Sequence, residues 1–194
     1  MRLFVALDID DAIRERIVRL VEGVGPFAPD ARWVKPESMH VTLKFIGERA
    51  DDTLVAIKQA LAQVTASTIK IDFRGYGFFP TPKSARVFWI GMEAGPELGI
   101  LAAAVDKNLS LVGIAKEDRP FSPHLTLARS AGGSGSPRGN RGHRPEIFQI
   151  LQNRLSALPV PEFGTMTSRE FFLYQSQLSP KGSKYTKLAK FELT

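Results

Sequence analysis

The chain has three histidines, and two of them stand in the same short frame: His40-Val41-Thr42-Leu43 and His124-Leu125-Thr126-Leu127. The frames lie 84 residues apart, close to half of the 194-residue chain. One such tetrapeptide carries little information, but a pair at that separation implies two related halves, each presenting the same pattern. Side chains two apart on a strand point to the same face. His40 and Thr42 therefore share one face, with Val41 and Leu43 on the other. His124 and Thr126 are opposed to Leu125 and Leu127 in the same way. The apolar residues face a core and the polar pairs face a common cleft, so two imidazoles and two hydroxyls line one space.

Histidine is the side chain whose unperturbed pKa lies near neutrality. Two histidines across a cleft can accept one proton and donate another, while the threonine hydroxyls donate hydrogen bonds to an anionic oxygen. That set suits a phosphodiester, which needs a base for the nucleophile, an acid for the leaving oxygen and donors for the phosphoryl oxygens. A lone histidine on a strand is more often structural; the repeated context favours catalysis. Two histidines could also hold zinc, but zinc sites take three or four ligands, and the third histidine, His143, lies in a Gly/Arg-rich stretch. Neither frame contains a carboxylate, so no metal and no cofactor are expected.

The rest of the chain supplies strands and helices in mixed order. Residues 2–7 read as a strand. Asp10 caps a helix with Ile13, Ile17, Leu20, Val21 and Val24 on its apolar side. A strand over Met39–Ile46, ended by Gly47, precedes a second helix from Asp51 or Asp52 that carries Leu54, Ile57, Leu61 and Val64. Strands over 68–79 and 85–92 flank a Pro80-Thr81-Pro82 turn. Pro96 opens a helix with Leu98, Leu101, Ala102, Val105 and Leu109 inward. A strand over 121–129, a short helix over 145–157 with Ile147, Ile150 and Leu151 inward, and strands over 169–176 and 184–193 complete the pattern. Strict βαβ alternation is missing, which favours an α+β fold. It is expected to be bilobal: two pseudo-symmetric lobes of antiparallel sheet, helices outside, and a central cleft between the motif strands. Residues 1–194 are read as one domain. The chain is long enough to bury a core without covalent staples. It has no cysteine, which excludes disulfides, thiolate metal sites and cysteine nucleophiles. The apolar run Leu3–Leu7 is too short for a signal-peptide core or a membrane span, so a cytoplasmic protein with no membrane partner is expected.

Lysine and arginine outnumber acidic residues by 26 to 20, a net charge of +6 that mildly favours polyanionic partners. Residues 130–144 read as a flexible basic loop with five glycines and Arg138, Arg141 and Arg144 at steps of three. Such a loop is either an arm that tracks phosphates or a solvated insertion. Lys181, Lys184, Lys187 and Lys190 read as the solvated side of a hairpin rather than the mouth of the cleft. Among the thirteen phenylalanines, Phe4, Phe45, Phe88 and Phe172 are expected in the core. Phe121 and Trp33, each near a motif, are candidates for stacking on a base.

These residues resemble the 2H phosphoesterase superfamily, which is defined by two H-x-[ST]-x motifs. Met1–Leu7 resembles the opening strand of its bacterial and archaeal RNA 2′,3′-cyclic phosphodiesterases, also called 2′-5′ RNA ligases. Trp33–Gly47 resembles their first motif region and Arg119–Arg129 their second. Phe79-Pro80, Arg86-Val87, Trp89 and Tyr174-Gln175-Ser176 resemble the intervening and late strands. The resemblance implies metal-independent opening of an RNA 2′,3′-cyclic phosphate to a 2′-phosphomonoester, with reversible 2′-5′ ligation as a related reaction. It implies His40 and His124 as the acid–base pair and Thr42 and Thr126 as phosphate ligands. His124 is then assigned to water and His40 to the departing O3′, although the pseudo-symmetry permits the reverse. Arg129 is a candidate phosphate contact, provided that the strand ends or bulges before it, because its odd offset from His124 otherwise turns it to the core. A monomer is implied. The alternatives are a phosphodiesterase for small cyclic nucleotides or 2′-5′ oligonucleotides, and a non-catalytic RNA-end binding module.

Overall fold

The computed structural model describes residues 1–130, 147–179 and 182–194. Its strands are β1 (Arg2–Leu7), β2 (Ala31–Trp33), β3 (Val41–Glu48), β4 (Ile69–Phe79), β5 (Val87–Ala94), β6 (Leu125–Ser130), β7 (Glu162–Ser168), β8 (Glu170–Ser179) and β9 (Gly182–Glu192). Its helices are α1 (Asp11–Val24), α2 (Leu54–Ala62), α3 (Pro96–Ser110) and α4 (Gln149–Ser156). Two antiparallel sheets result, ordered β3-β1-β8-β9 and β2-β6-β5-β4-β7. This is the expected α+β architecture with one motif strand in each sheet.

The halves are interleaved rather than consecutive. The first sheet pairs the N-terminal β1 and β3 with the C-terminal β8–β9 hairpin, whereas β2 leaves the first half to pair with β6. The helices cross as well. α1 follows β1 yet packs on β7 of the second sheet, and α3 follows β5 yet packs on β3 of the first. One apolar core runs between the sheets, from Leu3, Val41 and Leu173 to Phe73, Phe88 and Leu127. The five predicted inward residues of α3 are all buried.

Several expectations need correcting. Both motif strands begin one residue after their histidine, so His40 and His124 sit at strand entrances rather than inside strands. β2 and β7 were not predicted. β2 has three residues, and β7 reads Glu-Phe-Gly-Thr-Met-Thr-Ser with two large apolar side chains in seven. α4 buries Leu151 and Leu155, leaving Ile150 60% exposed. The basic stretch with Arg138, Arg141, His143 and Arg144 lies outside the described residues except for Ser130, and so does Lys181.

Candidate active site

The alternation read from the sequence holds over the first residues of each motif. Val41, Leu43, Leu125 and Leu127 are buried, while His40, Thr42, His124 and Thr126 keep partial exposure on the opposite side. Both strands then change phase at the same point. On β3, Thr42 pairs with Ala6 and Lys44 with Val5, so Leu43 is an extra residue. On β6, Thr126 pairs with Trp89 and Ala128 with Phe88, so Leu127 is extra. A bulge puts two residues against one and reverses the faces beyond it. Lys44 and Ala128 therefore turn inward, and the residues five places after each histidine, Phe45 and Arg129, turn outward. The bulge on which Arg129's access to the cleft depends is present.

A cavity of about 560 Å³ is lined by His40, Thr42, Phe45, Thr126, Arg129 and Tyr185, among others. That volume suits a small ligand. Side chains from motifs 84 residues apart thus meet in one space; His124, at the entrance of β6, stands outside this lining, against Phe79 and Trp89. Phe45 was expected in the core; it is 59% exposed. Phe4 and Phe172 are buried, but in a separate cluster with Ala6 and Tyr174 on the cleft face of the first sheet. Only Phe88 of the four joins the main core. The signal for Phe45 lay in the sequence: it is the counterpart of Arg129 within the repeated frame. The two stacking candidates are both partly buried. Trp33 donates its indole N–H to the Ala28 carbonyl at 3.2 Å and meets Phe88 edge-on, and Phe121 is half-buried against the main core.

The imidazoles are held alike. His40 Nδ1 lies 2.7 Å from the Ser38 carbonyl oxygen and His124 Nδ1 lies 2.8 Å from that of Ser122. A carbonyl only accepts, so in each neutral ring Nδ1 carries the proton and Nε2 is the free lone pair. The rings rest on different walls. His40 lies 4.7 Å from Phe4 and 5.2 Å from Tyr185, centroid to centroid. His124 meets Phe79 edge-on at 5.0 Å, with Trp89 at 6.3 Å. Trp89 needs its cross-strand partner to be a glycine, since a Cβ on Gly77 would fall 2.1 Å from the indole.

Burial pushes His40 down to about 4; the Ser38 carbonyl and then Asp8 oppose the shift, and Arg129 adds to it. In the free protein at neutral pH, His40 is an uncharged acceptor. Burial also raises the Tyr174 phenol, so Tyr174 remains a donor. A histidine whose folded pKa is lowered binds its proton first in the unfolded state. Its contribution to stability is complete above about 6.5 and is lost as pH falls towards 4, by about 1.4 kcal/mol per pH unit within that window. Urea unfolding of His40→Gln against the wild type from pH 7 to 4 is expected to show a shallower acid loss in the variant.

Lys187 and Lys190 are paired rather than simply solvated. Lys187 Nζ lies 2.6 Å from Asp8 and 4.0 Å from the centre of the Phe172 ring, and Lys190 Nζ lies 3.4 Å from Glu170. No group of three or more His, Asp or Glu side chains that could hold a metal occurs among the described residues. No helix among them is long and apolar enough to cross a membrane.

Two entrance histidines on pseudo-symmetric bulged strands, each with its partner threonine, fit the pattern of the two-histidine phosphoesterases. Comparison with known proteins agrees: the chain belongs to the LigT like phosphoesterase family, whose model matches twice, over residues 7–89 and 90–185. The two matches divide the chain as the repeated motifs do. An RNA 2′,3′-cyclic phosphodiesterase of Archaeoglobus fulgidus is 38% identical over 99% of this chain and 100% of its own length. One from Methanothermobacter thermautotrophicus is 32% identical over 100% and 99%. The crystal structure of E. coli LigT complexed with 3′-AMP superimposes with a TM-score of 0.77 at 27% identity, covering 100% of this chain and 98% of that one.

Proposed function

We propose that the protein hydrolyses RNA 2′,3′-cyclic phosphates to 2′-phosphomonoesters without a metal, using His40 and His124 as an acid–base pair. The observation that carries this reading is the matched presentation of the two imidazoles, each with Nδ1 held by a backbone carbonyl and Nε2 free. In the reaction, water attacks phosphorus and gives its proton to one Nε2. The P–O3′ bond breaks, and O3′ takes a proton from the other ring. Thr42, Thr126 and Arg129 hold the phosphoryl oxygens, whose negative charge grows as water adds. Phe45, which lines the same cavity as Arg129, offers its exposed ring to the terminal base, a contact that every base can make. With a 5′-hydroxyl in place of water, the same steps join two RNAs through a 2′-5′ linkage.

The relatives' activity and the site chemistry together support RNA as the substrate; that the protein acts as a cytoplasmic monomer is a further part of the proposal. A short RNA ending in a 2′,3′-cyclic phosphate, incubated with the protein and EDTA, is expected to yield only the 2′-phosphate end. A 3′-phosphate product would refute the O3′ leaving group, and a need for added metal would refute the metal-free mechanism. Equal turnover of a mononucleotide cyclic phosphate and a longer RNA, with the same salt dependence, would favour the small-nucleotide reading. Tight binding of the cyclic end without turnover would favour the binding module.

A further inference from the structure

Beside His40, on the side away from Thr42, lies a second cavity of about 410 Å³ lined by Asp8, Arg14, Glu37, Tyr174, Tyr185 and Lys187, among others. Its lining carries two carboxylates and two cations. Its charged groups form a network directed at His40. Asp8 follows β1 at the same spacing as Phe4 and Ala6, two residues apart on the cleft face. Its carboxylate accepts from Arg14 Nη2 at 2.9 Å and from Lys187 Nζ at 2.6 Å. Its own chain adds the Ile9 N–H at 3.0 Å. Arg14 also donates its Nε–H to the Pro36 carbonyl at 3.1 Å. Pro36 opens the short turn Pro36–Ser38, and the Ser38 carbonyl accepts from His40. Arg14 is further held by Asp11. Arg14 is 20% exposed and the other two members, Asp8 and Lys187, 37% and 46%, so the network is only partly shielded from water.

We propose that Asp8 is a positioning residue for His40: it gathers Arg14 from α1 and Lys187 from β9, and through Arg14 braces the turn whose carbonyl orients the imidazole. This rests on the reading of His40 as one of the acid–base pair. The charged and titratable groups facing His40 are Asp8, Arg14, Glu37, Tyr174, Tyr185 and Lys187, with Arg129 across the cleft. Asp8 is the carboxylate that both cations on its own side of the ring share. Removing its charge leaves Lys187 without its carboxylate and Arg14 with the exposed Asp11 alone, beside an imidazole that must carry charge during turnover, and it loosens the turn.

Asp8→Asn keeps the shape and removes the charge. It is expected to lower kcat on the order of 10-fold while KM changes by less than about 3-fold, as for other groups that orient a reacting side chain. Asp8→Glu is expected to restore part of the loss. Two further readouts need no substrate. The ¹⁵N shifts of the His40 ring at neutral pH report the Nδ1–H tautomer in the wild type and are expected to move towards averaged values in Asp8→Asn. Lys187→Met removes a cation near the ring and is expected to raise the pH at which His40 titrates, opposite in sign to the effect of Asp8→Asn. A merely structural role does not produce opposite signs. An unchanged His40 tautomer in Asp8→Asn, or a His40 titration unmoved in Lys187→Met, would overturn the proposal. The second variant decides the matter if Asp8→Asn does not fold. Should the spectra change as expected while His40→Ala retains full turnover, the positioning stands and the catalytic reading of His40 falls.

Discussion

His40→Ala and His124→Ala are each expected to lower kcat on the cyclic-phosphate end by about 10³-fold, within the range that a positioned acid or base supplies. Far-UV and thermal unfolding should show the fold retained. The double variant should be little worse than either single one, because a pair that moves one proton in and one out fails when either member is lost. Wild-type turnover in both single variants would end the two-histidine mechanism. A pH profile cannot divide the roles within the pair. An acid and a base that exchange roles give the same bell. Burial makes the neutral form of His40 the resting one, which by itself favours His40 as acceptor. A phosphate anion docked on Nε2 acts in the other direction by stabilising the imidazolium. The assignment carried by the family resemblance, with His124 on water and His40 on O3′, therefore requires substrate binding to charge His40. A substrate with sulfur in place of O3′ tests it directly, because a thiolate leaves without a proton. It should restore the rate of His40→Ala and not that of His124→Ala; rescue of His124→Ala instead would reverse the roles.

The second large effect is on stability. Lys44→Met is expected to cost about 3 kcal/mol, read as a lower urea midpoint with an unchanged slope. Lys44 is 5% exposed, and the bulge at Leu43 turns it inward. Its ammonium meets Asp106 of α3 at 2.5 Å and the Ala115 carbonyl at 2.8 Å, and Asp106 also accepts from the Glu117 N–H at 3.1 Å. Removing the lysine leaves a largely enclosed carboxylate with its cation gone, and that desolvation penalty is the main loss. The double variant Lys44→Met, Asp106→Leu should recover part of it, since no charge is then left without a partner. A single-variant loss below about 1 kcal/mol would mean that water reaches Asp106 freely.

The consequences of the Leu43 and Leu127 bulges mark where sequence reading stops. Alternation is a local rule and reads correctly from His40 to Leu43 and from His124 to Leu127. Beyond those residues it points Phe45 to the core and Lys44 to solvent, and both are wrong. An extra residue in a ladder is defined by the partner strand, here β1 for Leu43 and β5 for Leu127. Neither partner is adjacent in sequence to its motif. The same limit explains β2 and β7, whose short and mixed sequences become strands only through the edges they pair with.

The sequence by itself determined the candidate residues and the symmetry. Two copies of His-x-Thr-Leu half a chain apart specify two imidazoles and two hydroxyls on matching strands, because side-chain period and residue type are local properties. It also determined the helices with strong apolar faces, of which α3 is the clearest. Only the tertiary structure decided which strands form each sheet, that α1 and α3 cross to the opposite sheet, and that Phe45 and Arg129 line one cavity. It alone decided that Asp8, Arg14 and Lys187 converge beside His40. Those arrangements depend on contacts between residues far apart in the chain, and no local pattern encodes a register that is set by the neighbouring strand.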